Sequence, residues 1–276
     1  MKVLVIGASG MLAKPVVKKL VSEGFTPRLF SRNVKAEDFD EPHEIINGDV
    51  YNKTDLQNAI KDCVAIHISL NRVNESIAVS NIVEIAKNNN VQLISYVSGA
   101  SVCKENTWFP MIENKWNAEQ SIINSGIAYL IFRPGWFFET LKLMVKNGRA
   151  SVIAKKPRPE RGIAADDFAN IIVNGYKNMK SWNNIFSVLG QEEHYMKDML
   201  TAYCQKNYPD IKKVGSITPG VLKLIGKISR KKELCQVADM ISYFEGIKEI
   251  NENTLETYSV LGSPQLSFEK WLELQN

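Results

Sequence analysis

Short apolar segments alternate with segments of helical periodicity over the first half of the chain. The apolar segments are rich in Val and Ile without strict alternation, which is typical of strands in a parallel sheet covered on both faces. They predict strands over residues 2–6, 27–31, 44–46, 64–68, 92–97 and 129–133. Helical spacing of apolar residues predicts helices over 12–23, 54–61, 75–88 and 114–124. This repetition predicts an α/β fold with a doubly wound parallel sheet.

The pattern changes after Arg133. Pro134-Gly135 predicts a turn, and the next residues predict a helix over 136–146. Asp166 and Asp167 are predicted to be N-caps of a helix that ends at residue 176, because carboxylates can accept from the free amides at a helix start. A further strand is predicted over 185–189, and most of the rest has helical periodicity. We therefore predict a sheet-based core over 1–135, interleaved with a region 136–276 that adds the remaining sheet elements and a small, mostly helical lobe.

The turn after the first strand is rich in glycine. Gly7 and Gly10 follow the strand, and Ala13 lies where the first helix begins. Glycines here permit unusual backbone angles and let a pyrophosphate approach the backbone, where the free amides at the helix start would bind it. The alternative is a strand–helix turn that binds no ligand. The residues of this turn that we predict to bind the dinucleotide are Gly7, Ser9, Gly10, Met11 and Leu12.

The residues after the second strand favour NADP(H) over NAD(H) as the cofactor. An NAD site usually has an Asp or Glu there, whereas an arginine accommodates the extra phosphate of NADP. The second strand is followed by Arg32 and Asn33, and no carboxylate occurs before Glu37. Arg32 can bind that phosphate through two parallel hydrogen bonds; the alternative is an exposed, solvated arginine.

Two further strand ends add cofactor-binding candidates. After the third strand, Asp49 can accept a hydrogen bond from the adenine amino group or form a simple Asx turn, and the sequence leaves both open. Val50 follows it, and Ser69 and Leu70 follow the fourth strand. Ligands of open α/β sheets bind at the carboxyl ends of the strands, so we include all four residues. With this cofactor, residues 1–135 are predicted to be an NADP-binding core.

Composition narrows the classes of function. The net charge is +4, but Lys and Arg are spread along the chain, so we expect no nucleic-acid partner. We interpret the basic run Arg230-Lys231-Lys232 as solvated surface, and docking to an acidic partner is the weaker alternative. No apolar run reaches the ~18 residues of a membrane helix, so no membrane is expected. The four cysteines form no C-x-x-C pair and no signal peptide is recognised, which predicts a cytoplasmic protein. His43 and His194 have no partner at metal-ligand spacing, so we expect no metal site.

Several motifs together resemble one family. They are Gly7-Ala-Ser-Gly10-x-x-Ala13, Ser31-Arg32-Asn33, Gly48-Asp49-Val50, and a block over 114–139 that contains K-x-x-A-E, then S-G, then R-P-G-x-F-x-E. This pattern resembles the NmrA-like branch of atypical short-chain dehydrogenase/reductases, over nearly the whole chain but strongly only as far as Glu139. The resemblance implies an NADP-binding Rossmann core with a small C-terminal substrate lobe. Members of the branch include quinone and azo-dye reductases and cofactor-sensing regulators.

The resemblance also indicates which residues are candidates for catalysis. The wider superfamily carries Y-x-x-x-K, and Lys115 fills the lysine position, but Met111 stands where the tyrosine would be. A thioether cannot donate a proton, which argues against alcohol dehydrogenation and sugar epimerisation. Lys115 remains as proton donor or ribose ligand, with a solvated surface lysine as the alternative. Ser98, after the fifth strand, is predicted to hydrogen-bond substrate or nicotinamide, or only to cap the strand.

The segment after the sixth strand is predicted to lie beside the reacting ring. Trp136 and Phe137 would flank a nicotinamide or a flat substrate by stacking, with core packing as the alternative. Pro134 is a further cofactor-binding candidate. Two hypotheses follow. The first is an NADPH-dependent reductase of a small, quinone-like acceptor, and the second is a non-catalytic NADP(H)-binding redox sensor. The sequence leaves open whether the protein forms a homodimer or binds a regulatory protein partner.

Overall fold

A computed structural model describes residues 1–70, 74–247 and 253–275. Its strands, in chain order, are β1 Lys2–Ile6, β2 Thr26–Ser31, β3 Glu44–Asn47, β4 Ala65–Ile68, β5 Leu93–Val97, β6 Ala128–Pro134, β7 Val145–Lys146, β8 Arg149–Ile153, β9 Pro159–Glu160, β10 Asn184–Val188, β11 His194–Tyr195 and β12 Val214–Ile217. Its α-helices are α1 Ala13–Ser22, α2 Lys53–Ile60, α3 Glu75–Lys87, α4 Pro110–Ile123, α5 Ala165–Lys177, α6 Met196–Asn207, α7 Pro219–Ile228, α8 Lys232–Gly246, α9 Thr254–Leu261 and α10 Phe268–Glu273.

The chain divides into two compact units. The first comprises the described residues of 1–134, 165–188 and 250–263, and the second those of 135–164, 189–249 and 264–276. The chain therefore passes from one unit to the other several times, and each unit is built from segments that are distant in sequence.

The first unit is built on a seven-stranded sheet. The strand order is β3-β2-β1-β4-β5-β6-β10, and every pair is parallel. Apolar side chains of α2, α3 and α4 form a core cluster with the sheet, while α1 packs beside α5. The doubly wound parallel sheet predicted from the apolar pattern is confirmed, and so is a C-terminal region rich in helices.

Two local predictions after residue 135 differ from the structure. The helix predicted over 136–146 is a shorter 3-10 helix, Phe138–Met144, which is followed by β7. The cause is Asn147-Gly148, whose positive φ values of 51° and 69° make a tight hairpin that pairs β7 with β8. Asp166 and Asp167 lie within the first turn of α5 rather than at its N-cap, where their charge still favours the helix dipole.

The second unit has smaller sheets. A three-stranded sheet has the order β12-β8-β7, and β9 pairs with β11. Its core contains a cluster of aromatic rings, including Phe138, Phe268 and Trp271. None of the described helices combines the length and the hydropathy that crossing a bilayer requires.

Candidate functional site

The strand order reverses between β1 and β4, and the glycine-rich turn lies at this point. A Cβ built on Gly7 would stand 2.0 Å from the carbonyl oxygen of Ser69, and Gly7 has a φ of +88°. The two loops that follow β1 and β4 therefore approach each other at backbone distance, which only glycine permits. This topological switch is where open α/β sheets bind ligands.

Free backbone amides gather just after this turn. The Gly10 amide donates to the Gly7 carbonyl and the Ala13 amide to the Gly10 carbonyl, so these two are satisfied. Among the described residues, no acceptor pairs with the amides of Ser9, Met11 and Leu12, and no side chain caps α1. Unpaired amides at a helix start favour an anion, so this part of the chain fits a pyrophosphate.

A cleft opens next to these amides. It is lined by Gly7, Ser9, Phe30, Ser31, Arg32, Asn33, Gly48, Val50 and Leu70. No carboxylate is among these lining residues, and exposed Arg32 forms no ion pair with any described residue. Arg32 is the charged residue of this lining, so the cleft carries a positive side chain that can pair with an anionic group.

The predicted residues at the neighbouring strand ends have separate places. Val50 and Leu70 line the cleft, and the Ser31 hydroxyl donates to the Ser9 hydroxyl at 2.8 Å. Asp49 is not part of the lining, and its carboxylate accepts from the Tyr51 amide at 3.1 Å, which is the Asx turn. That bond uses one carboxylate oxygen, so it leaves the predicted adenine contact untested.

Three residues of this cleft were not among the predicted cofactor-binding residues: Phe30, Ser31 and Gly48. Phe30 is fully buried at the end of β2, and its ring lies against Gly48. A Cβ on Gly48 would stand 2.7 Å from that ring, so Gly48 lets the chain after β3 close over Phe30. Ser31 and Gly48 belong to the quoted motifs and Phe30 does not, and the spacing of a glycine and an aromatic residue in the sequence does not reveal their contact.

Lys115 lies in a second cluster, on α4. Its Nζ is 3.1 Å and 3.3 Å from the two carboxylate oxygens of Glu75, and 3.4 Å from the Val97 carbonyl oxygen. The ammonium also lies 5.5 Å from the ring centroid of Tyr96, a cation–π contact. The Lys115 side chain is 13% exposed, so the solvated surface alternative is wrong.

Glu75 holds this cluster together. It lies at the start of α3, is 2% exposed, and also accepts a 2.7 Å hydrogen bond from the Tyr96 hydroxyl. Burial, and after it the negative charge of Glu75, raise the pKa of Tyr96 well above its usual value. Tyr96 is therefore a poor proton donor to a ligand and does not replace the tyrosine that is absent at Met111.

Ser98, directly after β5, belongs to a similar cluster that also includes Arg133 of β6. Its hydroxyl donates to the buried carboxylate of Glu119 at 2.5 Å. Arg133 donates to the same carboxylate through Nε at 3.0 Å and through Nη2 at 2.5 Å. The Ser98 proton is thus used inside the protein, and the oxygen keeps only its acceptor capacity for any ligand.

The aromatic segment after β6 lies in the second unit, except for Pro134, which ends β6 in the first. Pro134 accepts a 2.8 Å hydrogen bond from the Ala100 amide. Phe137 forms a bridge with Ile163, and Phe138 is buried in the aromatic core, whereas Trp136 is partly buried beside it. Core packing therefore accounts for Phe138, and the ligand contacts predicted for Trp136 and Phe137 stay predictions.

One polar cluster departs from the sequence argument about metals. The side chains of Glu192, His194 and Glu269 bring one ligand atom each within 4.8 Å of one another. Glu269 is remote in the chain, so spacing along the sequence does not reveal this cluster, and the expectation of no metal site stays a prediction. Glu192 and Glu269 are exposed, and such exposed acidic groups do not make a metal centre by themselves.

Comparison with known proteins agrees with the architecture. A family model described as NAD(P)H-binding matches residues 7–178, which is more than half of the chain. Photosystem II assembly factor Ycf39 of Trieres chinensis is 22% identical over 276 residues, covering 94% of this chain and 86% of that protein.

Solved structures share the fold at low identity. Citrobacter sp. triphenylmethane reductase complexed with NADP(H) matches with a TM-score of 0.77 and 15% identity, covering 100% of both chains. Escherichia coli NADPH-dependent quinone oxidoreductase QOR2 complexed with NADPH has a TM-score of 0.75 and 17% identity, covering 99% of each. A Staphylococcus aureus nucleoside-diphosphate-sugar epimerase has a TM-score of 0.76 and 17% identity, covering 99% of this chain and 100% of that one.

Proposed function

The chain belongs to the NAD(P)H-binding family, and from that premise we propose that it is an NADPH-dependent reductase of a small conjugated acceptor such as a quinone. The observation that carries the proposal is the acid-free cleft, in which Arg32 lies beside the free amides of the glycine turn. The resemblance to atypical short-chain dehydrogenase/reductases agrees with reductases and an epimerase among the structural relatives. Among those relatives, the two reductases are described with NADP(H) or NADPH.

The glycine turn and Arg32 would divide the recognition of the nucleotide. The amides of Ser9, Met11 and Leu12 would hold the pyrophosphate, and Arg32 the phosphate that distinguishes NADPH from NADH. When bound, NADPH supplies a hydride to the acceptor. The chain contributes the binding, the orientation and the proton.

The preference for NADPH is tested by titration with NADPH and NADH. Arg32→Glu removes a charge-assisted phosphate contact and places a negative charge there, so we expect NADPH to bind about 10- to 100-fold more weakly and NADH to be little affected. Lys35→Glu is the matched control, because it makes the same charge change at an exposed residue outside the cleft lining. Equal losses in both variants would contradict a specific phosphate contact.

Lys115 is the proposed proton donor or ribose ligand. Glu75 and the Val97 carbonyl hold its ammonium at the carboxyl end of β5. A quinone-like acceptor takes a hydride and one proton, which Lys115 or water can supply, so the absence of a hydroxyl at Met111 is tolerated. We assign Ser98 a positioning role through Glu119, because its proton is donated there.

Turnover is tested by NADPH oxidation with quinones, azo dyes and enones. Lys115→Ala should lower kcat/KM about 100-fold or more while the folded structure persists. Lys53→Ala, which removes an exposed ion pair with Glu84, is the control and should leave the rate unchanged. Tight NADPH binding without turnover of any acceptor would reject the reductase and favour the redox-sensor hypothesis. The predicted cytoplasmic location stays a prediction.

A further inference from the structure

Helix α7 presents an apolar face to solvent. Val221, Leu224, Ile225 and Ile228 recur at helical spacing and are 50%, 58%, 43% and 76% exposed. The opposite side of the helix is packed, since a Cβ on Gly226 would stand 2.8 Å from the Cys235 sulfur of α8. These four exposed residues, the α7 face, are therefore a contiguous aliphatic surface that the fold of the second unit does not use.

Positive charge surrounds this face. Residues 211–232 contain seven Lys or Arg and no Asp or Glu, whereas the whole chain has 34 Lys or Arg in 276 residues. Lys223 pairs with Asp239 at 2.6 Å. The other cations that follow or border the α7 face are exposed; they are Lys227, Arg230, Lys231 and Lys232. Among the described residues no carboxylate forms an ion pair with these four.

We propose that the α7 face and its four cations dock the protein on the surface of an anionic phospholipid bilayer. An amphipathic helix with aliphatic residues on one side and Lys or Arg beside them lies in the membrane interface, with its apolar face among the acyl chains. The adjacent cations contact the anionic headgroups. This replaces the interpretation of Arg230-Lys231-Lys232 as merely solvated surface.

Two other occupants fit less well. A second copy of this chain would bring the same cations against each other across a two-fold axis, and like charges repel. Protein interfaces are enriched in aromatic residues and depleted in Lys, whereas the α7 face is aliphatic and three of its four cations are Lys. The composition therefore favours lipid. The proposal is independent of the reductase, because it involves no residue of the nucleotide cleft.

The test is co-sedimentation of the full chain with vesicles of phosphatidylcholine alone or mixed with phosphatidylglycerol, at low and high salt. We expect binding only to the mixed vesicles, weakened by salt. Arg230→Glu with Lys231→Glu should weaken binding at least about 25-fold, at about fivefold for each lost cation. Leu224→Glu with Ile228→Glu should abolish it. Leu255→Glu, at an exposed aliphatic of α9, and Lys35→Glu are the controls and should bind like the wild type.

The outcomes that overturn the proposal are distinct from failure of the reductase. Wild-type protein that stays in the supernatant with mixed vesicles rejects it, as does binding that neither double variant weakens. A wild-type dimer that Leu224→Glu with Ile228→Glu converts to a monomer, measured by light scattering without vesicles, would assign the face to a second copy. Each variant should keep the Tm and the circular dichroism spectrum of the wild type, which shows that the fold is intact whatever the vesicle result.

Discussion

Glu75 and Glu119 lie buried at the carboxyl ends of neighbouring strands, and each binds one cation and one hydroxyl group. Glu75 accepts from Lys115 and Tyr96, and Glu119 from Arg133 and Ser98. The Lys and Glu of K-x-x-A-E thus belong to two different ion pairs, and Arg133 is the arginine of R-P-G. The motifs could be recognised in the sequence, but this pairing could not, because it depends on the register of β5 against β6 and on α4.

Neutralising Glu119 should destabilise the protein. Glu119→Gln leaves Arg133, whose side chain is 16% exposed, without its counter-charge, and breaking a buried pair from one side costs about 3 kcal/mol. Urea denaturation measures this loss. Glu84→Gln removes the exposed pair with Lys53 and should change the free energy of unfolding by about 0.5 kcal/mol or less. Losses of the same size in both variants would argue against a structural role for the buried pair.

His67 should make the protein sensitive to acid. It is fully buried in β4, its Nδ1 lies 2.8 Å from the Ser95 hydroxyl, and Nε2 has no partner among the described residues. Burial lowers its pKa from 6.5 to about 4. Between those pH values His67 is protonated in the unfolded chain but stays neutral in the folded chain. Stability should therefore fall by about 3 kcal/mol as the pH drops from 6.5 to 4.

The measurement for His67 is denaturant unfolding of wild type and His67→Gln across this pH range. The variant should lose less stability on acidification than the wild type does, because no titrating group remains at that position. His194→Gln, at a partly exposed histidine, is the control and should follow the wild type. Parallel curves for wild type and His67→Gln would exclude His67 as the cause.

The turn between β1 and α1 combines a backbone constraint with the proposed nucleotide site. Gly7 and Gly24 both have positive φ, +88° and +80°, but only Gly7 has backbone within reach of an added Cβ. The two positions therefore separate the cost of the backbone angle from the cost of the clash.

Gly24→Ala should cost about 1 kcal/mol of stability, which is the penalty of a left-handed backbone for a residue with a Cβ, and should leave NADPH affinity unchanged. Gly7→Ala should cost more, since Ser69 must move, and should abolish the rise in Tm that NADPH gives the wild type. Thermal unfolding with and without NADPH measures both effects. An undiminished NADPH response in Gly7→Ala would mean that the glycine turn does not hold the nucleotide.

Elements were predictable where local pattern and tertiary packing agree. The strands and helices of the first unit follow the buried apolar runs, and their predicted bounds lie within a few residues of those observed. The helix predicted over 136–146 ends early because the Asn147-Gly148 hairpin outweighs helical periodicity. Strands β7, β9 and β11 were missed because two residues carry no periodicity, and β8 and β12 because polar residues and glycine interrupt their apolar runs.

The whole molecule shows why the chain cannot be cut where the pattern changes. The chain leaves the first unit at Pro134, but the described residues of 165–188 and 250–263 also belong to that unit. Helix α5 then covers one side of the sheet and β10 completes its edge. The sequence indicated this interleaving. Which segments of the C-terminal half belong to the first unit depends on burial, which only the structure shows.

A fragment of residues 1–135 should therefore lack a cooperative fold. It loses the α5 side chains Phe168, Ile171, Ile172 and Tyr176, each at most 3% exposed in the full chain. At about 2 kcal/mol for each, their burial is worth about 8 kcal/mol, as large as the whole stability of many domains. The fragment should show a broad, non-cooperative urea transition by circular dichroism and no stabilisation by NADPH. The full chain should show a cooperative transition and stabilisation by NADPH. A sharp transition with NADPH binding in the fragment would mean that the glycine turn and strands β1 to β6 form a stable, nucleotide-binding core. Helix α5 and strand β10 would then be additions to a core already stable without them.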